Sequence, residues 1–534
     1  MKDPGAVRLL GFAAALIAAL AFYIPQVNPT VGFVDAPIYT RKAVQLDLGI
    51  RSIDHPLFMV IAHGFTLLPL GGNPAYRVNI ASAFFGALTV ALVFLVTAEL
   101  LGSLRWGAYA AASGLTLWNL WWSSTEAEVY TLNTCFVLAI CWAMLRFRRG
   151  GGPRWLVFAA FLTGLGVVNH QMIVLMVPGI ALLGWIAPSA KRRWLWSGTV
   201  WIFGAVGLSL YLYLVLRRGM SAPWSDVALE IRGGEFSGRM MSGRGWLNLF
   251  EYIARFVGVT VANFDFLPLG LAIYGFLGLR QRDHKYFLFL FTCFCVHTIF
   301  FINYQVPDRF FFYLPSYILL LPVLGLGAWR FNQRWRRGRV SQVLVPLLLL
   351  YPIVAKPVMY RRAVPKVEEA MKKMGERLTD AFVPHIPGRE DYLYYVYPNK
   401  RMHTAGDIYR EMMVQAPPDA MIVDDWYHGF AIMNDYFQQV LGVRPDLTVI
   451  RWFEVFGGTE QDKDVLEERI DQALRHTRVF TTHTEYPITT LLARLERRGP
   501  LVTVQRGLLW ELIRPGDDGS SPSIPAASAE VEEL

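Results

Sequence analysis

Four sets of acids and imidazoles lie where the chain leaves long apolar runs: Asp35, Asp54-His55, Glu126-Ala-Glu128-Val-Tyr130 and Asn169-His170. Asp35 is the first of them, in the segment that follows an apolar run from about Leu9 to Ile24. Ionisable groups beside membrane spans are costly to keep there, which makes them functional candidates. A carboxylate in this position takes a proton from a hydroxyl as that hydroxyl attacks a sugar's anomeric carbon. Arg77, Arg217, Arg218 and Arg309, with Asp308 beside the last, suit the other half of that chemistry, since a planar guanidinium pairs two oxygens of a phosphate leaving group. The pattern points to group transfer at a membrane surface, with Asp35 as the base and Glu128, Asp54 and His55 as further catalytic candidates.

The rest of the chain must carry these groups to one membrane face. Of 534 residues, 54% are hydrophobic and only 17% charged, against roughly 25% charged in a soluble protein. Apolar spans are expected near 8–26, 78–100, 106–122, 131–147, 154–168, 171–188, 194–216, 264–280, 286–302, 310–329 and 339–356, about eleven transmembrane helices. Lys/Arg clusters at Arg105, Arg146-Phe-Arg-Arg149, Lys191-Arg-Arg193, Arg280-Gln-Arg282 and Arg330 to Arg339 fall in every second connection. By the positive-inside rule these are cytoplasmic, as is the N-terminus, and the acidic sets and C-terminal region face outward. The net charge of +9 is thereby explained by topology, and no nucleic-acid partner is expected. Cys135, Cys141, Cys293 and Cys295 all lie in apolar runs, so neither a disulfide framework nor a zinc site is suggested.

The first span reads as a retained anchor, and Pro56 to Leu70, short for a span, as a helix along the outer face. External loops at 27–77 and 217–263 then roof a cavity, the second contributing Trp224 as a binding surface. Residues 1–356 form the membrane domain and 357–515 an extracytoplasmic α/β domain with strands near 420–425, 447–452, 478–482 and 501–505 and a mostly parallel sheet. The tail 516–534 is expected to be disordered.

Each candidate also has a plainer reading. Asp35 suits a solvated loop acid or a cap. Glu126 and Glu128 are first-turn helix charges, the stronger account for Glu126. His170 suits a hydrogen-bonded turn, Arg217 and Arg218 snorkel to headgroups, and Trp118, Trp121 and Trp122 form an interfacial belt.

Taken together, Asp35, Tyr76-Arg77-Val-Asn79-Ile-Ala-Ser82, Ala127-Glu128-Val-Tyr130-Thr-Leu-Asn133, Gly166-Val-Val-Asn169-His170, Tyr211-Leu-Tyr-Leu-Val-Leu-Arg217 and Asn303-Tyr304-Gln-Val-Pro307-Asp308 occur in that order. This series resembles the DUF2723 family of protein O-mannosyltransferase-like membrane proteins, and the similarity continues into Gly442-Val-Arg444-Pro445-Asp446. The resemblance implies the GT-C glycosyltransferase architecture. It also implies a polyprenyl-phosphate-linked sugar donor, transfer on the periplasmic or lumenal face, and a protein Ser/Thr or glycan acceptor. The membrane would be the bacterial inner membrane, or the ER in a eukaryote. Asp35 would match the acid of the family's first external loop, Glu128 that of its Glu-Val-Tyr segment, and Asn169-His170 its Asn-His pair. Glu126, Tyr130, Arg77, Arg217, Trp224, Asp308 and Arg309 would bind substrate. The chain departs from the family where Asp35-Ala-Pro-Ile38 replaces Asp-Ser-Gly-Glu, so the second acid is missing and Asp54 or Glu126 would stand in. No cofactor is required, and several acids at one face leave room for a divalent ion, Mg or Mn, through oxygen ligands. A transporter or flippase of a lipid-linked sugar is the rival, built on the same basic, aromatic-rimmed cavity without bond formation, and a non-catalytic relative of the family is the other alternative.

Overall fold

The computed structural model describes residues 4–32, 35–51, 54–232, 246–304, 306, 309–335, 338–373, 398–401, 405–425, 430–452, 459–484 and 488–515. Asp308 and the tail 516–534 lie outside the described residues. The chain divides into two compact units. One holds residues 1–29, 42–383 and 392–403; the other holds 30–41, 384–391 and 404–534. Asp35 therefore belongs with the C-terminal unit, although the sequence expectation assigned the whole loop 27–77 to the membrane domain.

In the first unit the opening helices are α1 (Pro4–Tyr23), α2 (Ala36–Gln45, along which the chain passes between units), α3 (Pro56–Leu67) and α4 (Pro74–Leu101). They continue with α5 (Leu104–Leu115), α6 (Trp118–Ser123), α7 (Tyr130–Arg148) and α8 (Arg154–Asn169). Among the described residues five helices are long and apolar enough to cross a membrane: Gly5–Gln26, Pro74–Leu101, Tyr130–Arg148, His284–Asn303 and Leu314–Trp335. Three bent pairs raise the number to eight. The eleven expected spans are thus corrected in particular places. The stretch 106–122 divides into α5 and α6, of 12 and 6 residues, neither long enough alone. The stretch 194–216 is broken into Gly198–Gly207 and Ser209–Gly219, which meet at 65°. Nor is 217–263 mainly loop, because it contains helices Trp224–Ile231 and Trp246–Phe264, the latter turning through 101° into Phe266–Arg282.

Helix α4 carries the interior of this unit, with most of its side chains buried from Ala75 to Leu100. Its Gly86 is needed for close approach: a Cβ there would lie 1.9 Å from Ser124 Oγ. We expect Gly86→Ala to displace the segment after α6 and to cost about 1–3 kcal/mol. A Tm in detergent unchanged from wild type would contradict this contact.

The second unit is built on a five-stranded sheet of order β2-β1-β3-β5-β4, from β1 (Met421–Asp425), β2 (Thr448–Trp452), β3 (Val479–Thr481), β4 (Val502–Arg506) and β5 (Leu509–Ile513). β2, β1 and β3 pair in parallel, whereas β5 runs antiparallel to both β3 and β4. The sheet is therefore mixed rather than mostly parallel. The strand missing from the sequence reading, β5, follows β4 after a two-residue turn in which Gly507 takes φ 64°, a conformation that glycine adopts without a steric penalty. Val423, Ile450, Trp452 and Val479 pack with Ile470 and with Ile488, Leu491 and Leu495 of the covering helices Glu460–Ala473 and Ile488–Arg498. Gly406 N–H donates to Val31 O at 3.2 Å, tying the N-terminal segment into the same unit.

Candidate active site

The chain between α6 and α7 is buried throughout, and its backbone is held from four directions. Asn28 N–H donates to Thr125 O at 2.8 Å, and Thr125 Oγ1 donates to Pro398 O at 2.7 Å. The Ser82 hydroxyl of α4 accepts from Glu128 N–H at 2.9 Å and donates to Glu128 O at 3.0 Å. From α8, Asn169 Nδ2 donates to Val129 O at 3.2 Å. Such a clamp preorganises the segment that carries the two acids.

Glu126 and Glu128 are 1% and 5% exposed, and the Lys400 side chain that serves them as counter-ion is fully buried. Burial pulls the Lys400 ammonium down to about 7, against the attraction of Glu126 and Glu128. Its Nζ lies 4.1 Å from the centroid of the Trp122 ring, a cation–π contact strengthened where water is excluded. Its backbone N–H donates to Gln26 O at 3.0 Å, so the turn Ile24–Gln26 that follows α1 places the lysine. Two carboxylates and one ammonium thus share a dry site.

An imidazole pair adjoins this segment. His55 and His170 have ring centroids 4.9 Å apart, and Tyr130 lies 5.6 Å from His170. His55 Nδ1 is 2.7 Å from Asn169 O; a carbonyl only accepts, so Nδ1 carries the hydrogen and Nε2 is the basic nitrogen. Burial pushes His55 down to about 4, and burial followed by the neighbouring His55 holds His170 well below the usual range. Burial favours the neutral form of both rings. His55 also adopts φ 43° ahead of Pro56, a strained conformation of the kind that accumulates at working sites. The residues of helix Arg309–Phe312 cover the group: Phe311 stacks on Tyr130 at 5.7 Å and packs 4.5 Å from Trp122, while Phe312 meets His170 at 5.9 Å.

The structure therefore gathers Glu126, Glu128, Tyr130, His55, Asn169 and His170 in one unit. Other predicted residues are engaged elsewhere. Asp54 accepts from Lys42 Nζ at 2.8 Å, Arg51 N–H at 2.7 Å and the Arg51 guanidinium at 3.3 Å. Burial alone would raise its carboxyl, but Lys42 and Arg51 more than reverse this and hold it below the usual range. Lys42 is itself buried and keeps Asp47 at 3.4 Å as a second partner, so we expect Asp54→Asn to weaken its pairing and to cost about 1–3 kcal/mol. An Asp54→Asn protein with wild-type Tm but no activity would instead move Asp54 into the chemistry. Arg77 donates to Thr66 O at 2.7 Å and to Gly71 O at 3.2 Å, closing the end of α3. Arg217 is exposed, Trp224 is exposed beside Gly219, and the Arg309 guanidinium lies 4.7 Å over the Tyr252 ring.

Asp35 stands in the second unit, half-buried, with Tyr39 Oη donating to its Oδ2 at 3.3 Å. Burial raises its carboxyl to about 6, partly offset by Tyr39. Among the described residues no group of three His, Cys, Asp or Glu is placed to hold a metal ion. Lys400, which the sequence reading passed over, had one available signal: a Pro-Asn-Lys turn in a polar stretch already assigned to the other domain.

These features define a multi-pass membrane protein with a C-terminal α/β unit, and its fold is that of known GT-C-like proteins. The crystal structure of ArnT from Cupriavidus metallidurans bound to undecaprenyl phosphate superposes with a TM-score of 0.54 at 14% identity. Its apo form gives 0.58 at 13%, each comparison covering 98% of this chain and 100% of the other. At such identity the likeness is one of fold.

More particularly, residues 53–193 match the family described as the protein O-mannosyl-transferase TMEM260 N-terminal domain. Over 138 residues the chain is 33% identical to the protein O-mannosyl-transferase TMEM260 of Mus musculus, which is 25% of this chain and 19% of the mouse protein. The chain thus spans about a fifth of that relative's length. The family match includes Asp54, His55, Glu126, Glu128, Tyr130, Asn169 and His170, and stops short of Asp35 and Lys400.

Proposed function

We propose that this protein is a membrane glycosyltransferase that moves a sugar, mannose, from a polyprenyl-phosphate carrier to an acceptor hydroxyl of a protein or glycan on the extracytoplasmic face. The observation that carries this reading is the buried set Glu126, Glu128 and Lys400. Its two acids lie within the segment that matches an O-mannosyl-transferase domain, in a chain with the fold of ArnT. The acceptor oxygen attacks the anomeric carbon, the carbon–oxygen bond to the phosphate breaks, and polyprenyl phosphate departs with its electron pair. The acceptor's proton passes to a carboxylate, Asp35, whose raised pKa suits a base near neutral pH. Glu128 orients the reacting hydroxyls, and Lys400 is the positioning counter-ion buried with the two acids.

Supporting the rival is one specific observation: the helix pairs bent by 65° and 101° are of the discontinuous kind from which transporters build their sites. Against it, the site's acids sit at a helix start and in connections rather than midway along spans. Glu128→Gln in the purified protein should lower donor turnover by about a hundredfold while leaving Tm unchanged. Full turnover by that variant would remove Glu128 from the reaction.

A further inference from the structure

At the other end of the bundle lies a cavity of about 520 Å³, lined by Arg8, Glu99, Arg146, Arg149 and Arg282 with Gly102 at its edge. Helix α7 connects it with the acidic site: Tyr130 begins the helix beside Glu128, and Arg146 and Arg148 lie in its last turn. Nineteen residues of helix separate the two ends by about 28 Å. The cavity is therefore no part of the transfer site.

Four guanidiniums face one carboxylate. Glu99 is 5% exposed; it accepts from Trp142 Nε1 at 2.9 Å and pairs with Arg146 at 2.6 Å and Arg8 at 4.0 Å. Arg149 is turned onto the last carbonyls of α4, with its second terminal nitrogen 2.8 Å from Leu100 O. Arg146 also lies 5.5 Å from the Trp142 ring and 5.8 Å from that of Trp155. These contacts hold the arginines in place but leave the pocket with a net positive charge of several units, concave and open at its rim. Each guanidinium carries five donors, more than one carboxylate and two carbonyls take up. Positive charge at the end of a bundle ordinarily signals topology; four arginines converging on one hollow form a recognition geometry.

We propose that this cavity binds the phosphate of an anionic phospholipid from the adjoining leaflet. Phosphate is the anion that several guanidiniums recognise in common, and basic pockets between membrane helices take lipid headgroups of this class. What favours a lipid over free phosphate is the surface next to the pocket: Leu9 and Leu10, which follow Arg8 on α1, are 68% and 69% exposed and offer an apolar wall for acyl chains.

Native mass spectrometry of the full-length protein in neutral detergent tests this, with phosphatidylglycerol, phosphatidylcholine and inorganic phosphate as separate probes. Wild type should retain phosphatidylglycerol about tenfold more tightly than phosphatidylcholine, and millimolar inorganic phosphate should fail to displace it. Arg8→Gln with Arg282→Gln, which spares Arg146 and Arg149, should abolish the preference, whereas Arg192→Gln with Arg193→Gln outside the pocket should preserve it. Equal retention of the two lipids, or equal loss in both double variants, would overturn the site. Displacement by inorganic phosphate would overturn the lipid as its occupant.

Discussion

Asp35→Asn leaves the protein inserted and folded but lowers sugar transfer by about a hundred- to ten-thousandfold, the range expected when a positioned base is removed. An amide is nearly isosteric and still accepts from Tyr39, so the packing is retained while the proton acceptor is lost. The pH profile is the sharper readout. Because burial raises Asp35 to about 6, the ionised form that acts as base fills only above that pH. Wild-type kcat/KM should therefore rise through about pH 6, and the residual rate of the variant should lack that limb. Stability moves in the opposite sense. Between the ordinary carboxylate range and about 6 the folded protein keeps a proton that the unfolded chain has released, so this group's contribution falls as pH rises through that window. Asp35→Asn removes that slope as well. A purified variant with full activity and an intact acidic limb would place the base elsewhere, with Glu128 next.

Lys400→Met has the second large effect, and it acts on stability and rate together. The variant leaves Glu126 and Glu128 without the ammonium they share below about pH 7, which lowers Tm in that range. In wild type, burial brings Lys400 down to about 7. Above that pH the folded protein has lost a proton that the unfolded chain keeps until the ordinary lysine range, so stability from this group rises with pH between the two values. The charge needed to hold Glu126 and Glu128 fades over the same interval, giving activity a falling limb near pH 7. Lys400→Met should flatten both dependences, and Lys400→Arg should restore part of the activity with the falling limb moved to higher pH. A Lys400→Met protein with wild-type Tm and an unchanged alkaline limb would leave Lys400 no role beyond filling space.

What was legible in the sequence follows from what periodicity records. Runs of apolar residues announced α7 to within one residue at each end and α1 and α4 to within four, because a membrane span needs a fixed length of uninterrupted apolar helix. The breaks at Thr116-Leu117 and Leu208 were not legible, since the flanking residues stay apolar and only packing decides where such a helix bends; the one at Asp265 lies within two residues of the span start expected at 264. Of the site, Glu128, Asn169 and His170 were accessible because acids and amides stand out against apolar surroundings. Asp54 stood out for the same reason, yet its charge serves Lys42, a partner twelve residues away whose burial no spacing announces. Lys400 was hidden by distance along the chain: it returns from a polar region more than two hundred and fifty residues after Glu128. The placement of residues 30–41 with the C-terminal unit was equally unreadable, because the backbone bond from Gly406 to Val31 and the ion pair of Arg41 with Asp435 join residues far apart along the chain.

The most direct test of transfer is the fate of the labelled sugar when purified protein, reconstituted in sealed vesicles, is given radiolabelled polyprenyl-phosphate-mannose and a membrane extract as acceptor. The account predicts that the label becomes covalently attached to acceptor as free polyprenyl phosphate accumulates, and that Asp35→Asn abolishes both. Label that crosses the bilayer still joined to its lipid, with no polyprenyl phosphate released, would contradict a transferase and establish a transporter.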